Sequence, residues 1–155
     1  MANTLNISWS RSFLNIAKEI STHSTCVRLQ VGAVIVKDKR IISMGYNGVP
    51  SGMKHCKEVF KNINLKSSID RQMHHEFACE NELHAEQNAI AFAAKSTISL
   101  DKDCTIYLTT EPCNDCAKLI IAANIGKVIY SNKYDGDTRG IDLLRSAGVQ
   151  VINIE

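Results

Sequence analysis

The stretch CTIYLTTEPCNDCAKLIIAANIGKVIYS, residues 104–131, reads as strand, helix and strand in immediate succession. CTIYLTT (104–110) is rich in β-branched and aromatic residues between polar flanks, the composition of a strand. Pro112 stands at a first helical position and opens the helix CNDCAKLIIAAN, and Gly126 lies just past its end. KVIYS (127–131) returns to strand. Downstream, the turn-rich KYDGDTRG leads to a short helix near 140–147, and GVQVINI (148–154) closes the chain as a strand. Strands alternating with helices in this way imply a parallel pair.

Upstream, HAEQNAIAFAAK predicts a buried, alanine-rich helix over about 84–95. VGAVIVK (31–37) and RIISMGY (40–46) read as an antiparallel hairpin. Its turn falls at Asp38 and Lys39, without the usual glycine. Residues 8–22 place Trp9, Phe13, Ile16, Ala17 and Ile20 at helical spacing, with Ser8 as N-cap. Residues 47–80 are polar and read as irregular. So long a connector is functional or is held by something. The order α-ββ-α-β-α-β-α-β predicts a mixed sheet with helices on both faces, in one domain over 1–155.

Composition bounds the partners. The chain has 155 residues, 45% hydrophobic and 22% charged, with two prolines, which suits a folded globular protein. A formal charge of +2 does not call for nucleic acid as a partner. No apolar run is long enough to cross a membrane, and MANTLNISWS lacks the pattern of an export signal. A soluble, cytoplasmic protein is expected. Six cysteines in such a compartment point to metal rather than to three disulfides.

His84 and Glu86 are two apart at a helix start, so they do not share a face, and only one of them is a ligand. Cys113 and Cys116, three apart, do share one, at the positive end of a helix dipole that favours thiolate. Two thiolates and the His84 imidazole give zinc three protein ligands and leave the fourth tetrahedral position for water, the pattern of a catalytic site. Glu86 then stands where it can accept a proton from that water and return it. PCxxC alone fits a redox pair or half a structural zinc site, and HAE alone fits a helix cap. Together, in this order and each opening a helix, they form H-x-E…P-C-x-x-C, the signature of zinc-dependent nucleobase deaminases.

VGAVIVKDKRIISMGYNGVPSG, HAEQNAI and EPCNDCAKLIIAANI carry a wider resemblance. Across nearly the whole chain the sequence resembles the deoxycytidylate deaminases, in their phage and bacterial form, within the cytidine deaminase-like superfamily. The resemblance implies a three-layer α/β/α sandwich around a mixed five-stranded sheet. It implies hydrolysis of dCMP to dUMP and ammonia, which supplies the precursor of dTMP. It places Asn47 at the nucleotide, the Ala85 N–H at the pyrimidine O2, the Thr110 carbonyl at the amino group, and Tyr134 against the substrate. Arg28, Lys118, Lys133, Arg139 and, from a neighbouring subunit, Lys95 are candidate donors to a 5′-phosphate. The resemblance also implies a homo-hexamer activated by dCTP with Mg2+ and inhibited by dTTP. The regulatory segment then holds Gly45, Tyr46, Asn47, Gly48 and Gly52, although glycines there also simply make turns.

Relatives of this form carry a second, structural zinc. Cys26 and Cys56 occupy two matching positions and His74 a third. Cys79 is preferred as the fourth ligand because thiolate is common in closed sites, with Glu82 as rival. Such an ion would hold the long insertion in order. Cys104 reads as core. The alternatives are a superfamily deaminase acting on dCTP, cytidine, guanine or tRNA adenosine, and a non-catalytic zinc-stabilised binding protein. An intact Glu86 argues against the last.

Overall fold

A computed structural model of the chain describes residues 6–134 and 137–155. Its centre is the strand–helix–strand unit. Strand β3 (Thr105–Thr110) runs parallel to β4 (Lys127–Asn132), and the helix α5 (Asn114–Ala122) crosses between them. The next helix, α6 (Arg139–Ser146), leads to β5 (Gln150–Asn153), parallel to β4. On the other side β3 pairs antiparallel with β1 (Gly32–Lys37), which forms the expected hairpin with β2 (Arg40–Tyr46). The five-stranded sheet is ordered β2-β1-β3-β4-β5.

The sheet's two faces follow from side-chain alternation. Ala33, Ile35, Ile106, Leu108, Val128 and Tyr130 face α5, α6 and the helix α4 (Ala85–Ala93). Val34, Val36, Tyr107 and Ile129 face Phe13, Leu14 and Ala17 of α1 (Ile7–Ser21). This is the expected three-layer α/β/α sandwich. Ile35, Ile106, Leu108 and Ile129 are fully buried, and each contributes on the order of 2 kcal/mol of burial.

Several boundaries differ from the sequence reading. The side chain of Asn6, not Ser8, caps α1, accepting the Trp9 N–H at 3.3 Å. Asp38 and Lys39 turn the hairpin with φ of 50° and 59°, so two non-glycine residues take the left-handed conformation. Pro112 is not the first helical residue, since Cys113 is itself the N-cap of α5. The stretch 47–80 is only partly irregular. It contains α2 (Cys56–Val59) and the fourteen-residue α3 (Ser68–Asn81). Ile69 of α3 is 71% exposed and Met73 is exposed too, and the residue that the helix buries is His74. Among the described residues no helix is long and apolar enough to cross a membrane.

β2, β3 and β4 all finish at one edge of the sheet, so 46–48, 110–113 and 132–134 converge there with the start of α4. Gly48 and Leu83 exchange backbone hydrogen bonds at 3.0 and 2.9 Å, which ties the end of β2 to the residue before His84. A crevice beyond the carboxyl ends of parallel strands is where α/β sheets bind ligands.

Candidate active site

Two helix N-termini meet at this edge. His84 is the N-cap of α4, with extended backbone, and its N–H donates to the Gln87 side chain at 2.7 Å. Cys113 caps α5, its sulfur accepting the Cys116 N–H at 3.5 Å. His84 Nδ1 lies 3.3 Å from Cys116 Sγ and 3.6 Å from Cys113 Sγ. Ligands at ordinary zinc distances in a tetrahedron stand about 3.5–4 Å apart, so these donors fit the ion. Cys116 is buried, Cys113 half-buried and His84 exposed. The fourth position therefore opens outward.

Close approach of these donors shifts their protonation in different directions. The hydrogen bond from Cys116, and then His84 and the Cys116 N–H, hold the Cys113 thiol down at about 4 against the opposing effect of burial. The same bond to Cys113, with burial, pushes Cys116 up. His84 is pushed up, above all by its hydrogen bond to Cys113. Glu86, on the first turn of α4, is 3% exposed, and burial raises its carboxyl above the ordinary carboxylate range. A buried carboxyl whose proton is held more tightly than usual is suited to acid–base work.

A second cluster lies behind. Donor atoms of Cys26, Cys56, His74 and Glu82 all fall within 4.8 Å of one another, and the first three residues are buried. Cys26 Sγ is 3.5 Å from His74 Nε2. Burial pushes the Cys26 thiol up and the Cys56 thiol up to about 12. Glu82 Oε1 is buried without a hydrogen-bond partner. Two buried thiols beside an orphaned carboxylate oxygen suit a cation, and this closed four-donor set suits a structural one.

Cys79 is not part of this cluster. It is exposed, and its sulfur lies 3.6 Å from His75 Nε2. Five residues of helix rotate Cys79 about 140° away from His74. Glu82 ends α3 as its C-cap in extended backbone, which turns its carboxylate back toward the buried thiols.

A model of the cytidine and deoxycytidylate deaminase zinc-binding region matches residues 7–132. The chain belongs to this family of deaminase enzymes. Within the family, it is 38% identical to the deoxycytidylate deaminase of Enterobacteria phage T4, over 91% of this chain and 87% of that one. The deoxycytidylate deaminase of Saccharomyces cerevisiae is 32% identical over 97% of this chain and 46% of its own length. The fold matches the crystal structure of the cyanophage S-TIM5 dCMP deaminase in complex with dCMP and dUMP. That match has a TM-score of 0.77 and 36% identity, and covers 95% of this chain and 97% of that one.

Other residues that the family resemblance singled out sit at or near the same edge. Ala85 is fully buried, and its N–H is a first-turn donor of α4. Thr110 ends β3, two residues before Pro112, and Tyr134 follows the end of β4. The Asn47 amide is already engaged: its Oδ1 accepts the Val31 N–H and its Nδ2 donates to Leu29 O, both at 2.8 Å. Gly45 packs β2 on α4, since a Cβ there would stand 2.6 Å from Ala85 O and from Ala89 N. Tyr46 is exposed, and Gly48 and Gly52 have open space where a side chain would be. Lys118 pairs with Asp115 and Arg139 with Asp137. Glu111 stands directly before Pro112 and Cys113, an acidic residue whose position in the sequence is the signal that marks it.

Proposed function

We propose that this chain hydrolyses dCMP to dUMP and ammonia, supplying the precursor of dTMP. The observation that carries the proposal is the buried Glu86 beside an outward-opening His84–Cys113–Cys116 donor set. The named relatives, phage and fungal deoxycytidylate deaminases, support dCMP as the substrate.

His84, Cys113 and Cys116 would hold zinc, which when bound would supply the positive charge that makes water a nucleophile at neutral pH. Glu86 accepts a proton from the attacking water as the water oxygen bonds to C4, and passes that proton to ring N3. It then carries the remaining hydroxyl proton to the 4-amino group, so that the C4–N bond breaks as the C4 carbonyl forms and ammonia leaves. The Ala85 N–H donates to the pyrimidine O2. The Thr110 carbonyl accepts from the amino group, and Tyr134 packs on the nucleotide. Asn47 borders the site while bracing 29–31. Cys26, Cys56, His74 and Glu82 would hold a second zinc, which would keep the 47–82 segment in order.

Regulation belongs to the same reading: dCTP with Mg2+ activates, dTTP inhibits, and the cytoplasmic enzyme is a homo-hexamer. Tyr46, Asn47, Gly48 and Gly52 form the effector segment, and Gly45 serves it by packing. The Gly48–Leu83 bridge gives that segment a direct connection to His84.

Zinc-loaded protein offered dCMP, dCTP and deoxycytidine, with and without effectors, tests the proposal through the ultraviolet change of cytosine to uracil. Turnover of dCMP above the other two supports it. Zinc-loaded protein inert toward dCMP refutes it.

A further inference from the structure

Glu111 takes no part in the proposed chemistry, yet it is only 7% exposed and lies between the end of β3 and the ligand-bearing turn. A carboxylate so placed is costly unless hydrogen bonds hold it. Its carboxylate accepts the backbone N–H of Tyr134 at 2.5 Å, and its own N–H donates to Asn132 O at 2.8 Å. No ion pair among the described residues includes it. Next to it, Thr109 O accepts from Ser131 Oγ at 3.0 Å and from Asn132 Nδ2 at 2.6 Å. The β3–β4 ladder stops at Thr110 and Asn132, so Tyr134 lies beyond regular strand pairing. The carboxylate supplies the acceptor that a longer strand would have offered.

The α6 side is fixed to the same turn. Gly140 packs so closely that a Cβ there would stand 2.3 Å from Pro112 O and 2.9 Å from Cys113 O. The turn carrying Cys113 thus grips both Tyr134 and the start of α6.

We infer that Glu111 is a positioning residue: by anchoring the Tyr134 backbone to the metal-ligating turn, it sets Tyr134 at the proper reach for the pyrimidine nucleotide. The inference rests on the reading in which Tyr134 packs on dCMP. Glutamine keeps an acceptor at this reach, alanine removes it and aspartate shortens it. The carboxylate acts as an acceptor, with no role in proton transfer.

The test joins hydrogen exchange to a double-mutant cycle. In Glu111→Ala the Tyr134 amide exchanges roughly tenfold faster than in wild type, and in Glu111→Gln it stays protected. KM for dCMP rises roughly tenfold in Glu111→Ala, kcat falls less, and Glu111→Gln remains near wild type. Tyr134→Ala lowers kcat/KM in wild type but adds nothing to Glu111→Ala. Zinc content stays at the wild-type level in all variants. Unchanged Tyr134 exchange, additive losses, or Glu111→Gln as impaired as Glu111→Ala overturns the inference. If Glu111→Ala does not fold, Glu111→Asp carries the same cycle. Wild-type protein inert toward dCMP refutes the substrate reading, while the exchange experiment still decides the anchor.

Discussion

In the proposed reaction Glu86 and the His84, Cys113 and Cys116 donors divide the work, because a helix start sends adjacent side chains in different directions. His84, at the cap, points out to the metal position, while Glu86 turns inward and is buried. Glu86→Gln is nearly isosteric but cannot take up a proton. It should retain zinc and melting temperature while kcat falls roughly 10²–10⁴-fold. Zinc analysis and the dCMP assay on one preparation check this, and full activity would end the proposed role. The second cluster offers a sharper test, because the sequence favours thiolate and the geometry favours carboxylate. Cys79→Ser should keep the full metal content. Glu82→Gln should lose the second metal equivalent and keep the first. Elemental analysis of the two variants decides between the ligand sets, and the reverse pattern would restore Cys79.

At the scale of elements, close packing dictates residue choices that look functional in the sequence. Gly45 belongs to the GYNG segment, where a glycine suggests room for a phosphate. Its structural reason is the approach of α4, whose backbone leaves no space for a Cβ. Gly45→Ala should cost about 2 kcal/mol or more, and it should displace the helix that carries His84 and Glu86. A lowered thermal midpoint, with reduced kcat in the folded fraction, is the expected result. Unaltered stability would mean that β2 and α4 are less tightly apposed. Helix α3 makes the converse point. Ile69, Met73 and Phe77 recur at helical spacing, yet the first two are exposed and the residue buried on this helix is His74. The spacing marks the helix but not its purpose, which is to bring His74 and Glu82 to Cys26 and Cys56.

For the whole molecule, the sheet and the insertion have different sources of stability. The sandwich rests on two apolar clusters, one on each face of the sheet. The 47–82 segment has few buried apolar side chains and converges on the second donor set. Removing metal with a strong chelator should therefore loosen this segment before the sheet. Limited proteolysis should cut first within about 47–67, while far-ultraviolet circular dichroism changes little. Cleavage spread evenly over the chain would show that the metal does not hold the insertion.

The sequence by itself determined the strands, the parallel crossover and the grouping of His84, Cys113 and Cys116, because each depends on local order. Strand alternation, Gly126 beyond a helix, and Cys113 and Cys116 at three-residue spacing are all readable over a few residues. Tertiary structure decided what depends on approach between distant segments. It replaced Cys79 with Glu82, because a ligand set spanning Cys26 to Glu82 is chosen by which donors converge. It assigned Gly45 to packing and occupied the Asn47 amide with the backbone of Leu29 and Val31. It also brought Glu111 to Tyr134, across the ends of two strands whose separation in sequence hides their adjacency. Local chemistry names the candidate donors, and only the packed chain selects among them, since a metal or a hydrogen bond responds to distance in space.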